Sequence, residues 1–362
     1  VNNGKRITLD SIIAIASGEP GNQLLSLKTD FLSASIKGDY KLTQLGSVFQ
    51  QSINPYFSIT DNKDIVKTDP YHFTVNGGIN NNPTLKTLLP ELTQLDPITL
   101  SGNFASDSGW NLMLRSPHIV YGTSVIDSVN FVAGTRRGAL QFNASLRRLI
   151  MGSSFSMYAS RGSGTMKDDK LEFDLDIKDQ DSKDKYTISG ALNHPGLNRY
   201  VFSLNPDNLL LNYDKWTALS DNRIQYFNSD INAHNFVLKR NGQELSINSA
   251  DTSANAPLQI NFTNFNISTI TAFTHTDSLI VNGTLNGKAI VRNIQTRPTF
   301  TTDITVNDLS VYSDTIGNFT AKVNNNVANR FHANLKLNGR GNDVTISGDY
   351  KVDSANSSYD FM

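Results

Sequence analysis

Apolar side chains recur at every second residue along much of this 362-residue chain. LEFDLDI places Leu171, Phe173, Leu175 and Ile177 on one side and Glu172, Asp174 and Asp176 on the other. LQINF does the same with Leu258, Ile260 and Phe262, and FHANLKLNG with Phe331, Ala333, Leu335 and Leu337. A period of two is the period of an extended strand, whose successive side chains point to opposite faces. One apolar and one wet face per strand is the pattern of antiparallel sheet covered on one side. The predicted fold class is therefore all-β.

Composition agrees. Hydrophobic residues make up 38% of the chain and aromatics 9%, enough for a core. Only 18% of residues are charged, so Asn, Ser and Thr supply much of the polar surface. Those short side chains compete with helical backbone hydrogen bonds and suit strands and turns. The 32 basic and 33 acidic residues balance to −1, which leaves no field to recruit nucleic acid or an anionic membrane. With no cysteine there is no disulfide or thiol chemistry.

A second motif is superposed on the alternation: apolar, any, Gly, any, apolar. It occurs at Ile36-x-Gly38-x-Tyr40, Val75-x-Gly77-x-Ile79 and Leu100-x-Gly102-x-Phe104. It returns at Ile188-x-Gly190-x-Leu192, Val281-x-Gly283-x-Leu285 and Ile346-x-Gly348-x-Tyr350. Each glycine takes an apolar-face slot. Glycine inside a strand marks a bend or a close approach, so the six positions predict where a sheet curls inward. Stacked strands bent this way form an elongated trough with an apolar inside, lined by Leu100, Phe104, Leu171, Phe173, Leu175, Ile188 and Leu192. Leu258, Ile260, Phe262, Val281, Leu285, Leu335, Leu337 and Ile346 continue that lining. About 20–25 strands at ~4.8 Å spacing would span roughly 100 Å. The irregular spacing of the copies excludes a strict short-period β-helix. The chain reads as one segment, 1–362, cut from a longer protein.

Two or three short amphipathic helices interrupt the strands. One is predicted near 42–53, with Leu42, Leu45, Val48, Phe49 and Ile53 as its stripe. Another is predicted over 83–95, with Leu85, Leu88, Leu89, Leu92 and Leu95, opened by Asn82 and Pro83 and kinked or split at Pro90.

Signatures of chemistry are missing. The sequence has no phosphate loop, no dinucleotide fingerprint and no nucleophile elbow. The six histidines, His72, His118, His194, His234, His275 and His332, lack metal-ligand spacing. The acidic run around Asp168–Asp184 reads as a solvated strand face. No catalytic residue, metal or cofactor is assigned, and the chain is read as non-enzymatic.

Several stretches resemble the TamB group of AsmA-like proteins, which are inner-membrane-anchored partners of an Omp85-type outer-membrane barrel. These are PTLKTLLPELTQLDPITLSGNF, the run WTALSDNRIQYFNSDINAHNFVLKRNGQELSI from Trp216, LQINFTNFNISTI followed by LIVNGTLNGKAIV, and DITVNDLSVYSDTIGNFTAKV. The resemblance implies a curled β-sheet groove in the periplasm that conducts phospholipid acyl chains toward the outer membrane. It implies docking on the Omp85-type barrel through the full-length protein, with the membrane anchor outside this segment. Two other functions fit the same residues: a chaperone or assembly scaffold for outer-membrane barrels, with strands docked on a sheet edge, and an adhesin-like β-solenoid with a sealed core. An apolar face open to lipid separates the first reading from the last.

Overall fold

The computed structural model describes residues 11–58, 67–152, 155–274, 281–294, 298–312, 314–327, 330–352 and 357–361. His275 lies outside them. The protein is almost entirely antiparallel sheet, curled and unclosed, with a few short helices. It divides into two compact units, Val1–Asp184 and Lys185–Met362, a boundary that the single-segment reading of the sequence did not mark.

In the first unit the strands are β1 (Ile12–Ser17), β2 (Gln23–Thr29), β3 (Leu32–Asp39), β4 (His72–Ile79), β5 (Leu92–Leu95) and β6 (Ile98–Ala105). They continue as β7 (Gly109–Tyr121), β8 (Ser124–Arg136), β9 (Ala139–Met151), β10 (Phe155–Lys167) and β11 (Lys170–Lys178). Neighbours in sequence pair as a meander, except that β4 pairs with β6 and the short β5 pairs with β7. Helix α1 (Leu45–Gln51) lies between β3 and β4, and α2 (Pro83–Leu88) between β4 and β5.

The boundary falls after the first residue of β12 (Asp184–Gly196), and the second unit continues with β13 (Arg199–Leu211). Five short strands follow: β14 (Asp214–Ala218), β15 (Arg223–Phe227), β16 (Asp230–His234), β17 (Phe236–Arg240) and β18 (Gln243–Ser249). After β19 (Leu258–Asn266) comes helix α3 (Ser268–Thr274). Long strands return as β20 (Val281–Arg292), β21 (Thr299–Val311), β22 (Asp314–Val327), β23 (Arg330–Gly339), β24 (Asn342–Val352) and β25 (Ser357–Phe361).

Helix α2 starts as its sequence predicts. Asn82 is extended, its side chain accepts from the Thr84 amide at 2.7 Å, and Pro83 occupies the first turn. Its predicted end is corrected. The helix stops at Leu88, and Leu92–Leu95 form β5. Proline disfavours helical backbone in the residue before it, here Leu89, so Pro90 ends the helix rather than kinking it. The leucines survive the change of structure, since Leu85, Leu92 and Leu95 pack together with Phe31, Ile79, Ile98 and Ile119.

The glycines do not share one backbone role. Gly38 and Gly283 adopt φ of +139° and +146°. A Cβ on Gly38 would sit 2.2 Å from the His72 carbonyl oxygen, and one on Gly283 would meet Val306 at 2.6 Å. The pairing of β20 with β21 is irregular around Gly283, so that glycine sits at a bend. Gly77 has no such φ, and an added Cβ there would find only ordinary contacts, the nearest being Leu100 Cβ at 3.5 Å. Gly38→Ala is expected to lower stability by about 3 kcal/mol through strain and overlap, and Gly77→Ala by less than about 0.5 kcal/mol. Urea denaturation midpoints of the two variants check this, and equal losses would show that position within the strand, not backbone geometry, sets the cost.

Candidate functional site: the apolar inner face

Register carries the alternation from strand to strand. In the first unit Leu112, Ala133, Phe142, Gly164 and Phe173 are successive partners across β7 to β11. Leu114, Phe131, Ala144, Gly162 and Leu175 form the next row. Large and small residues alternate along the first row, whereas in the second Ala144 and Gly162 lie side by side between larger residues. A Cβ on Gly164 would lie 2.4 Å from Phe142, so the aromatic ring fills the space that the glycine leaves. Leu100 pairs with Gly77 and Leu114, and Phe104 pairs with Phe73 and stacks on Trp110. Leu171 sits opposite Met166.

Phe104 is fully buried, whereas Leu100, Leu171, Phe173 and Leu175 are half-buried. The buried end of the face belongs to a cluster in which Tyr40, Val48, Phe73 and Phe104 close over one another.

In the second unit the face runs from sealed to open. Around β13 to β19 it is a packed core in which Trp216, Leu238 and Phe265 are fully buried, with Ile188, Phe262 and Leu285 packed against it. Leu192 pairs with Phe202 at its border, and Leu258 and Ile260 pair with Val291 and Ala289. From Phe265 one row continues through Leu285, Val306, Phe319 and Leu337 to Val344. Exposure is 2% at Phe265 and 46% at Val344, and Ile346 beside it is 40% exposed. Leu335 pairs with Ile346 and, like Leu337, is half-buried. Val281 and Leu285 in β20 are also half-buried.

The opposite face is polar. Its ion pairs, such as Lys322–Asp303 and Arg330–Asp349, both at 3.3 Å, are exposed and contribute little to stability.

Reading along single strands missed the rows of β7 to β10, although NLMLRS and LQFNAS carry the alternation. Pro117 and the glycine pair of SRGSGTM obscured it. Helix α3 was not located, because ISTITAFT is rich in β-branched residues and reads as strand.

One buried charge cluster stands apart. Asp127 in β8 is almost wholly buried. It bonds the His118 imidazole from β7 and accepts from Arg148 Nε in β9 at 2.7 Å. The other ring nitrogen of His118 faces Gln94 Oε1 at 2.9 Å. With both nitrogens engaged, this histidine has no free nitrogen for a nucleophile or substrate, and the cluster reads as a cross-strand staple. Among the described residues no group of three or more His, Cys, Asp or Glu could hold a metal, and no helix is long and apolar enough to cross a membrane.

No family model matches this chain, and no curated protein or solved structure matches it either.

Burial works against the Asp127 carboxylate, but the hydrogen bonds from His118 and Arg148 outweigh it and hold the carboxyl below the ordinary carboxylate range. A carboxyl that titrates lower in the folded than in the unfolded chain contributes its full stability above about pH 4 and loses it as the pH falls through the folded value. Asp127→Asn should therefore cost about 2–3 kcal/mol at pH 7, less than for a fully buried pair because Arg148 is partly exposed. The gap between wild type and variant should close as the pH is lowered below 4. A gap that stays constant down to pH 2 in urea titrations would remove the charge from the explanation.

Proposed function

We propose that the apolar inner face is a groove that holds the acyl chains of phospholipid, as part of a non-enzymatic lipid conduit in the periplasm. The observation that carries the reading is the in-register apolar ladder whose last rows, at Leu335, Leu337, Val344 and Ile346, stay half-buried or exposed. A sealed core would bury these residues as completely as it buries Trp216. A decorative surface would not keep six successive partners apolar, as the row from Phe265 to Val344 does.

The physics of such a wall suits transport. Each methylene removed from water gains about 0.8 kcal/mol. Rows repeating at strand spacing offer nearly the same gain at each step, so a chain can slide without a deep trap. The sheet satisfies its own backbone hydrogen bonds, as an apolar lumen requires.

The resemblance to the TamB group supports the periplasmic setting, the anchor outside this segment and the Omp85-type partner. The packed core around Trp216 favours, for that stretch alone, the rival reading of a solid structural sheet.

Leu335 and Ile346 face each other on the inner side, and Asn334 and Ser347 are the neighbouring pair on the other side. Leu335→Asp with Ile346→Asp is expected to lower the affinity for phospholipid at least tenfold, about 1.4 kcal/mol. The matched outward pair, Asn334→Asp with Ser347→Asp, should leave it unchanged. Native mass spectrometry of co-purified lipid and photo-crosslinking from position 337 read the two arms. Equal loss in both pairs would point to general damage to the sheet and against a groove.

A further inference from the structure

We propose that Leu45–Ser58 is a displaceable strap that occupies the acyl-chain site at one end of the first unit's groove. The proposal rests on the groove reading above and concerns how that groove is opened. A 3-10 turn, Leu42–Gln44, leads into the strap, which begins with helix α1. Its apolar side lies on the inner face: Val48 is buried among Tyr40, Phe73 and Phe104, and the Phe49 ring meets Phe104 edge-on at 5.1 Å. Here the face is sealed, with Phe73 at 1% and Phe104 at 3% exposure. Leu100, four residues before Phe104 on the same face of β6, is half-buried. The strap makes the contacts that a lipid chain would make.

The segment then crosses the sheet. Trp110 Nε1 in β7 donates to the Ser52 carbonyl at 2.7 Å. At the far side, the Ser58 amide donates to Asp169 Oδ1 at 2.8 Å, and the Asp169 amide donates to the Tyr56 carbonyl at 3.1 Å. Asp169 sits in the two-residue turn between β10 and β11, 111 residues along the chain from Ser58. Two hydrogen bonds thus fasten a chain that starts at β3 to the tip of the β10–β11 hairpin, and one holds it to β7 on the way.

The strap is built to let go. Helix α1 has seven residues, among them Gly46, Ser47 and Val48, and no side chain caps its start. A helix this short has no stability of its own in water, so its contacts hold it. Its base stays anchored when the far end lifts: Lys41 pairs with Asp69 at 2.6 Å, and Gln44 exchanges hydrogen bonds with the same residue.

The latch can be removed without strain. Asp169 has φ +58°, which glycine and asparagine both tolerate. Asp169→Gly deletes the Oδ1 acceptor, and Asp169→Asn keeps an equivalent one. Trp110→Phe deletes the donor to Ser52 and keeps a ring against Phe104. The probe is cis-parinaric acid, a fluorescent fatty acid, added to the purified chain. The Asp169→Gly/Trp110→Phe variant should take it up about 25-fold faster than wild type, since each of the two lost hydrogen bonds shifts the opening equilibrium roughly fivefold. Asp169→Asn should match wild type. Hydrogen exchange of the Leu45–Ser58 amides should speed up in the first variant while β7 to β9 keep their protection, which separates strap release from unfolding. Uptake at an unchanged rate, with the exchange accelerated, would overturn the strap as a gate and leave the groove reading intact. If no variant binds the fatty acid, the groove reading itself fails and takes this proposal with it.

Discussion

Every interior strand of this sheet is bonded to a neighbour in fixed register, and on that register the apolar face depends. Side chains alternate with a period of two, so a slip of one residue would send a whole strand's leucines and phenylalanines to the polar side. The pairings of β7 to β11 and of β19 to β24 keep apolar residues opposite one another, with local irregularities that leave the rows in phase. The backbone ladder sets the geometry, and burial of the inner side chains supplies the penalty that keeps each strand in place. Cross-strand pairs such as Phe131–Phe142, with ring centroids 6.5 Å apart, add a smaller specific contribution.

Where the sequence breaks the alternation, the backbone restores it. Phe262 and Phe265 are three residues apart, and strict alternation would put them on opposite faces. Yet their rings pack together at 5.7 Å. The pairing of β19 with β20 shifts between them, and Asn264 takes φ +46°. One inserted residue returns the strand to phase. The same device recurs between Val306 and Leu309, where Asp308 has φ +50°. Each irregularity leaves a backbone amide without its ladder partner, and an asparagine side chain takes it up. The Asn264 amide donates to Asn286 Oδ1 at 2.8 Å, and the Asp308 amide to Asn318 Oδ1 at 3.0 Å. The asparagine content of the chain thus has a structural use, as a source of acceptors where the ladder is interrupted.

This separates what was legible in the sequence from what was not. LEFDLDI, LQINF and FHANLKLNG displayed their faces openly, and the all-β, antiparallel reading followed from them. NNPTL announced α2 through its cap and proline. The bulges were hidden, because FTNFN and VNDLS look out of phase until the extra residue is known to be absorbed. The packed core around Trp216 was hidden as well. Its strands β14 to β17 have only five residues each, too few for two-residue periodicity to stand out. Glycine was legible as a mark but not as a mechanism. The same apolar-x-Gly-x-apolar pattern covers a left-handed bend at Gly283, a close backbone approach at Gly102, and at Gly77 a position with room for a methyl group.

Exposure along the inner face then becomes the variable that matters for function. The same apolar residue types are sealed around Trp216, covered by a chain segment at Phe73 and Phe104, and open at Val344 and Ile346. Apolar character alone cannot distinguish these three states, because each needs the same side chains on the same side of the strand. What distinguishes them is the third layer. Short strands curl into a local core in the first case, a helix and its extension lie across the sheet in the second, and nothing among the described residues covers the face in the third. An open face of this kind is costly in water in proportion to its apolar area. That cost is removed by any apolar layer that completes the packing, ligand or protein, and in the groove proposed above that layer is an acyl chain.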